Sequence, residues 1–170
     1  MSEINSEKIY DQYMDKIYRF VFMRVGSKET AQDLTSETFT RSFEYFRRNP
    51  AKAIDNVQAF LFRTASNLLT DFYRQKSRQN ISFDSGMSNF STQTIAARDE
   101  HLEISVAKSE QTQKVMAALQ NIDSKLADIV MWRYVEDMSV KEISEITGRP
   151  EGTVRVMLHR GLKELRRTIL

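Results

Sequence analysis

A step of 100° per residue from Val154 places Arg155, His159, Arg160, Lys163, Arg166 and Arg167 on one side of a helix, opposite Val154, Leu158, Gly161, Leu162 and Leu165. A cationic face of this kind suits DNA. Phosphates reward it through counterion release, and an arginine near a helix start reaches guanine edges bidentately in the major groove. The plainer alternative is a solvated basic surface helix. Arg149 and Glu151 precede this face, at the place where helix-turn-helix proteins touch bases.

A second stripe lies upstream, where Asn56, Arg63, Ser66, Asn67, Thr70, Arg74, Ser77 and Arg78 share one helical side with Phe60 at its margin. That mixture suits unpaired nucleic acid: guanidinium groups hold phosphates, amides read exposed base edges, and an aromatic ring stacks on a base. An ordinary polar helix face fits the periodicity as well. A third set, Asp33, Glu37, Thr40 and Glu44, lines one exposed side at spacings of four, three and four. Like charges at that spacing repel, so helix stability does not favour them. A docking face for a basic partner accounts for them best. A paired-carboxylate catalyst or metal-dependent hydrolase is a rival without a third ligand or partner base, and a plain solvated face is another.

Composition removes most other chemistries. Zero cysteines exclude disulfides, thiolate zinc sites and cysteine nucleophiles, and the two histidines, His101 and His159, are too far apart in sequence to suggest a metal centre. No cofactor and no metal are expected. No apolar run approaches the roughly 18 residues of a membrane span, and the start MSEINSEKIYDQ lacks a signal-peptide core, so the expected location is cytoplasmic.

The elements that must position these residues are helices. Five Gly and two Pro in 170 residues, with few alternating patterns, predict an all-α chain. Tyr10, Tyr13, Met14, Ile17, Tyr18 and Val21 mark a first helix, stopped by Gly26 and followed by Ser27 as the next N-cap. A second helix buries Ala31, Phe39, Ser42, Phe43 and Phe46 and ends before Pro50, and a third starts near Asp55 with Val57, Leu61, Ala65, Leu68 and Phe72 inward. After a stretch rich in Ser, Thr, Asn and Gln, Asp123 or Ser124 caps a helix burying Leu126, Ile129, Val130 and Tyr134. The capping box Ser139-Val-Lys-Glu142 opens a short helix, Thr147-Gly148-Arg149-Pro150 turns, and the basic helix follows: the signature of a helix-turn-helix. The expected architecture is two small helical domains, 1–78 and 114–170, joined by a flexible linker over 79–113. Formal charge divides as +3, −3 and +2 over those three segments, which makes the linker the acidic part.

Three motifs in order carry a resemblance. Asp33-Leu34-Thr35-Ser36-Glu37-Thr38-Phe39, then Ala59 through Asn67, then Asp137 through Ile143 with Gly152-Thr153-Val154-Arg155 and His159-Arg160, together resemble the extracytoplasmic-function (ECF) sigma factors of bacteria. Those are small subunits that give RNA polymerase its promoter specificity. The likeness spans both domains, roughly 130 residues, and three motifs in order are far more specific than a helix-turn-helix alone.

The resemblance implies a division of labour and no catalysis. The first domain, similar to sigma region two, would bind core RNA polymerase through Asp33, Leu34, Ser36, Glu37 and Thr40. It would hold the melted minus-ten promoter element with Asn56, Phe60, Arg63, Asn67 and Arg74, and with Arg48, Asn49 and Lys52 of the loop where such proteins capture a flipped base. The second domain, similar to sigma region four, would read the minus-thirty-five duplex through Arg149, Glu151, Thr153, Arg155, Val156, His159 and Arg160. Promoter DNA and core polymerase are the implied partners, with an anti-sigma factor as a further partner class. A regulator that binds duplex DNA as a dimer without polymerase is the runner-up, and it leaves the stripe around Asn67 without a use.

Overall fold

The computed structural model describes residues 4–50, 56–82 and 109–170, and these form seven helices. They are α1 (Ser6–Val25), α2 (Lys28–Arg48), α3 (Val57–Ser82), α4 (Glu110–Asn121), α5 (Ser124–Tyr134), α6 (Val140–Thr147) and α7 (Glu151–Ile169). Of the expected linker, α3 takes in the residues up to Ser82 and α4 begins at Glu110; the segment between 83 and 108 lies outside the described residues. No helix among the described residues is long and apolar enough to cross a membrane.

Local chemistry sets the boundaries. Asn5, Ser27, Ser109, Asp123 and Ser139 each accept a first-turn amide hydrogen through a side-chain oxygen, the shortest of these to Lys125 N at 2.9 Å from Asp123. Such a cap stabilises a helix by about 1 kcal/mol. The Ser139 box is reciprocal: Glu142 N donates to Ser139 Oγ at 3.1 Å, and Ser139 N donates to Glu142 Oε2 at 2.7 Å. Helices α1 and α6 both stop at a left-handed glycine, Gly26 at φ 70° and Gly148 at φ 68°, where a side chain would be strained.

Packing joins the two halves directly. Helices α1, α2 and α3 form one unit around Ile17, Phe20, Val21, Phe39, Leu61 and Phe62, and α4 to α7 form another around Leu119, Ile129, Ile143 and Val154. The units share a boundary at which α1 meets α4 and α5 and α3 meets α6. Phe20 sits 5.7 Å from Phe62 and 5.5 Å from Trp132, ring centre to ring centre, so one aromatic trio belongs to both cores. A fully buried Phe contributes about 1.5–3 kcal/mol, so this trio adds to the stability of the boundary.

Two expected core positions differ. Tyr134 is 59% exposed because α5 ends there, and its ring extends past the last turn that packs. Tyr10 is also exposed, though it stands edge-on to Phe39 at 5.0 Å. Leu162 and Leu165 are half-buried on α7, and Phe43 on α2 likewise.

Candidate nucleic-acid interface

The α6–turn–α7 unit presents the basic face as the periodicity requires. Val154, Leu158 and Gly161 are buried, while Arg149, Glu151, Thr153, Arg155, Val156, His159 and Arg160 are all exposed. The turn between the helices is tied by Ser144 Oγ donating to the Arg149 carbonyl at 2.6 Å and by Arg149 N donating to Thr147 Oγ1 at 3.3 Å. Glu151 and Arg155 form an exposed pair at 3.2 Å, one turn apart. Pro150, the N-cap residue before α7, has no side chain able to cap the helix. Its first-turn amides are therefore left for a solvent or anion acceptor, at the positive end of the helix dipole. Sequence reasoning missed this feature, although a proline in the N-cap place was its signal.

The α3 stripe divides into an open part and a covered part. Asn67 and Arg74 are exposed, Arg74 beside Asp71 at 3.8 Å. Phe60 is half-buried against Tyr45 at 4.8 Å and Phe46 at 5.1 Å, so α2 fixes its ring at the stripe's margin. Asn56 caps α3, accepting the Ala59 amide hydrogen at 2.9 Å, and its Nδ2 donates to Glu145 Oε2 of α6. Arg63 donates to the carbonyls of Ile146 at 2.8 Å and Glu145 at 2.6 Å. Ser66, placed by periodicity among the exposed polar residues, is 5% exposed and donates to Asp128 Oδ2 at 2.5 Å. That placement is corrected: α5 covers the helix there. Arg48 is exposed, Asn49 turns back to donate to the Tyr45 carbonyl at 2.9 Å, and Lys52 lies outside the described residues.

Where the halves meet, a cleft of about 190 Å³ is lined by Arg63, Ser66, Asn67, Lys125, Asp128 and Arg149 among others. It brings the open part of the α3 stripe and the start of the α7 face to one place. Behind it lies a buried ionic knot. Arg24 of α1 donates to Asp128 at 3.0 Å, to the Leu119 carbonyl at 3.1 Å and to Ser124 Oγ at 2.8 Å. Tyr73 lies beneath the guanidinium, its ring centre 5.5 Å away, and donates its hydroxyl hydrogen to the Arg24 carbonyl. Burial pushes the Asp128 carboxyl above the usual carboxylate range, against the opposing pull of Arg24 and of the Ser66 hydrogen bond. Burial likewise raises the Tyr73 phenol, with Arg24 opposing and Asp128 adding to the rise.

The acidic side of α2 faces away from the core made by Ala31, Thr35, Thr38, Phe39 and Ser42. Asp33, Ser36 and Thr40 are exposed, and Leu34 and Glu37 are half-buried. Glu37 accepts from Arg41 Nε at 2.6 Å, a counter-ion that the reading of like charges overlooked. Among the described residues no three His, Asp or Glu side chains come together to hold a metal ion.

Comparison with known proteins agrees with this geometry. Residues 9–79 match Sigma-70 region 2 and residues 112–165 match Sigma-70, region 4, together well over half of the chain. The ECF RNA polymerase sigma factor BldN of Streptomyces coelicolor is 29% identical over 162 residues, covering 95% of this chain and 59% of BldN. The ECF RNA polymerase sigma factor SigW of Bacillus subtilis is 27% identical over 166 residues, covering 95% of this chain and 87% of SigW. Among solved structures, the sigma factor RpoE of Bartonella quintana, held in a complex with the anti-sigma factor NepR, has the same fold, with a TM-score of 0.70 at 15% identity over 96% of this chain and 95% of that one. Both sigma-70 regions stand in order on a sigma-factor fold, beside ECF relatives along nearly the whole length, and the chain belongs to the ECF class of RNA polymerase sigma factors.

Proposed function

We propose that this chain directs core RNA polymerase to promoters by reading two elements with its two halves and by contributing no chemistry of its own. Residues 1–78 bind polymerase and the melted minus-ten strand, 79–113 connect, and 114–170 read the minus-thirty-five duplex. The observation that carries this is the exposed face of the turn and α7, whose seven candidate residues stand clear of the core on a tied helix-turn-helix. In the major groove, Arg155 and Arg160 supply base contacts, and the uncapped amides at the start of α7 take a backbone phosphate. Phosphate contacts of this kind fix register, and side chains at base edges set sequence preference.

On α3, Asn67 offers an amide to an unpaired base, Arg63 and Arg74 hold phosphates, and Phe60 backs the base that leaves the stack. Arg48, Asn49 and Lys52 frame the pocket that receives it. Asp33, Leu34, Ser36, Glu37 and Thr40 form the polymerase-docking side of α2. Core polymerase and promoter DNA are the partners, an anti-sigma factor is a further one, and the place of action is the cytoplasm, where polymerase works. Run-off transcription with core polymerase on a promoter library tests the proposal. Specific start sites that depend on the chain are the expected result, and polymerase-independent binding to palindromic duplex by a dimer would replace it with a conventional repressor or activator.

A further inference from the structure

Along its first two turns α7 carries no charge in the middle of its exposed face, opposite the buried line of Val154, Leu158 and Gly161. Val156 lies about 200° around the helix from Val154, and it is 59% exposed. Gly152, one turn earlier on the same line, is exposed as well. A Cβ there would meet nothing within 4 Å, so the fold does not demand the glycine. Polar side chains flank this strip, with Arg155 and His159 on one side and Thr153 and Arg160 on the other, all of them exposed.

An isolated exposed valine is ordinary on a protein surface. This one is the single apolar member of the seven residues assigned to the minus-thirty-five duplex, and it stands where a helix lying in the major groove comes nearest the base edges. The chemistry of the groove floor selects its counterpart. Guanine, adenine and cytosine present only hydrogen-bonding groups there, and an isopropyl group set against them takes those groups from water without returning a bond. Thymine alone adds a methyl group. A β-branched side chain in a helix keeps one dominant rotamer, so valine meets that methyl group with little further ordering.

We propose that Val156 is a specificity-determining residue, which packs its methyl groups on the C5-methyl of one thymine in the minus-thirty-five element, with the bare backbone at Gly152 giving the close approach that so short a side chain needs. This rests on the assignment of α7 to duplex reading made above. Val156 and Arg160 stand one turn apart, about 6 Å along the axis, so the thymine lies within about two base pairs of the pair that Arg160 reads.

The test uses the chain assembled with core polymerase and the strongest promoter recovered from the run-off library. Duplexes are prepared in which one thymidine at a time is replaced by deoxyuridine, a change that removes only the C5-methyl group. At one position of the minus-thirty-five element the replacement should weaken wild-type binding about fourfold, the equivalent of one buried carbon, while the other thymidines of that element change it by less than about twofold. Val156→Ala, at an exposed position where alanine favours the helix, should keep the fold and should bind the thymidine and deoxyuridine forms alike within about twofold. The two methyl deletions therefore couple rather than add. Cytosine at the same position should weaken wild-type binding further, and 5-methylcytosine should recover about fourfold of that loss in wild type and none in Val156→Ala. A deoxyuridine scan with no such position in wild type, or a loss that persists in Val156→Ala, overturns the inference while Arg155→Ala and Arg160→Ala still alter base preference. If those two arginine variants leave the base preference of the element unchanged, the assignment of α7 to duplex reading is itself wrong and this inference goes with it.

Discussion

Asp128 of α5 holds Arg24 of α1 at 3.0 Å with both side chains almost wholly buried, 1% and 2% exposed, so the boundary between the two halves of the chain is built around an ion pair. Desolvating two charges opposes folding, and such a pair is tolerated only when its remaining hydrogen-bonding groups are met. Here they are: Leu119, Ser124 and Ser66 complete the set.

Removing one partner strands the other. Asp128→Ala should therefore destabilise the protein by about 3–5 kcal/mol, whereas exchanging both residues for apolar ones of similar size should recover much of that loss. Urea unfolding of the single and double variants checks this, and a cost under about 1 kcal/mol for Asp128→Ala would mean that Arg24 finds another anion or water.

The same carboxyl gives a pH dependence with a definite sign. Its folded-state pKa is raised by burial, so the folded state retains a proton that the unfolded chain releases above about pH 4. Its contribution is fully present below the unfolded value and is lost as pH rises through the folded value. Relative to Asp128→Asn, wild-type stability should decline over that window, with Arg24, Tyr73 and Lys125 as the titratable neighbours. Denaturation midpoints of the two proteins at a series of pH values would reveal it, and parallel curves would refute it.

Two glycines of α7 should respond oppositely to alanine. A Cβ on Gly161 would fall 2.7 Å from Val130 Cγ2, so α5 and α7 approach each other there as closely as a bare backbone permits. Gly161→Ala should cost about 1–3 kcal/mol through overpacking. Gly152 has open space around its Cβ position and lies in the first turn, so Gly152→Ala should stabilise by up to about 1 kcal/mol. Thermal melts of the two variants moving in the same direction would contradict the packing described.

Boundaries were legible in the sequence wherever they depend on local chemistry. The Ser139/Glu142 box, Ser27 and Gly26, and Asp123 all act within four residues of themselves, and each was readable from spacing. The apolar stripes of α3 and α7 were readable for the same reason. Ser66 was misplaced because its partner, Asp128, is 62 residues away, and periodicity reports a helix face without saying what covers it. The buried pair left a faint signal in each helix: Arg24 continues the Ile17, Phe20, Val21 stripe of α1, and Asp128 interrupts the apolar run from Leu126 to Trp132 of α5. Two lone charges of opposite sign in buried stripes point to each other only once the halves are known to touch.

The recognition face should separate binding from folding. Arg155 and Arg160 are exposed, and the Glu151–Arg155 pair is solvated, so Arg155→Ala and Arg160→Ala should leave the melting temperature nearly unchanged. Binding to the minus-thirty-five duplex should weaken by about 1–3 kcal/mol for a residue that reads a base bidentately, with specificity relaxed at that base pair. Promoter-strength profiles over a base-substitution library are the measurement, and identical profiles for wild type and both variants would remove direct readout from α7.

The proposed docking of polymerase on the acidic side of α2 is what would separate this chain from a free-standing DNA-binding protein. Asp33→Lys with Glu37→Lys exchanges one like-charge pair for another and sets a lysine beside Arg41, which now pairs with Glu37 at 2.6 Å. These are surface contacts at helical spacing, each worth a few tenths of a kcal/mol, so the double change costs the fold little. The fold should therefore keep its helical circular dichroism and a nearly unchanged melting temperature. A basic polymerase surface meets the opposite situation, since two attractive contacts become repulsive and the approach of the partners is slowed as well. Co-elution with core polymerase should be lost in the double variant. Added salt should weaken the wild-type complex, because the attraction between exposed charges is screened within about 10 Å at 0.1 M ionic strength. Wild-type affinity in the double variant, with the fold intact, would show that Asp33 and Glu37 are a solvated face and that polymerase docks elsewhere.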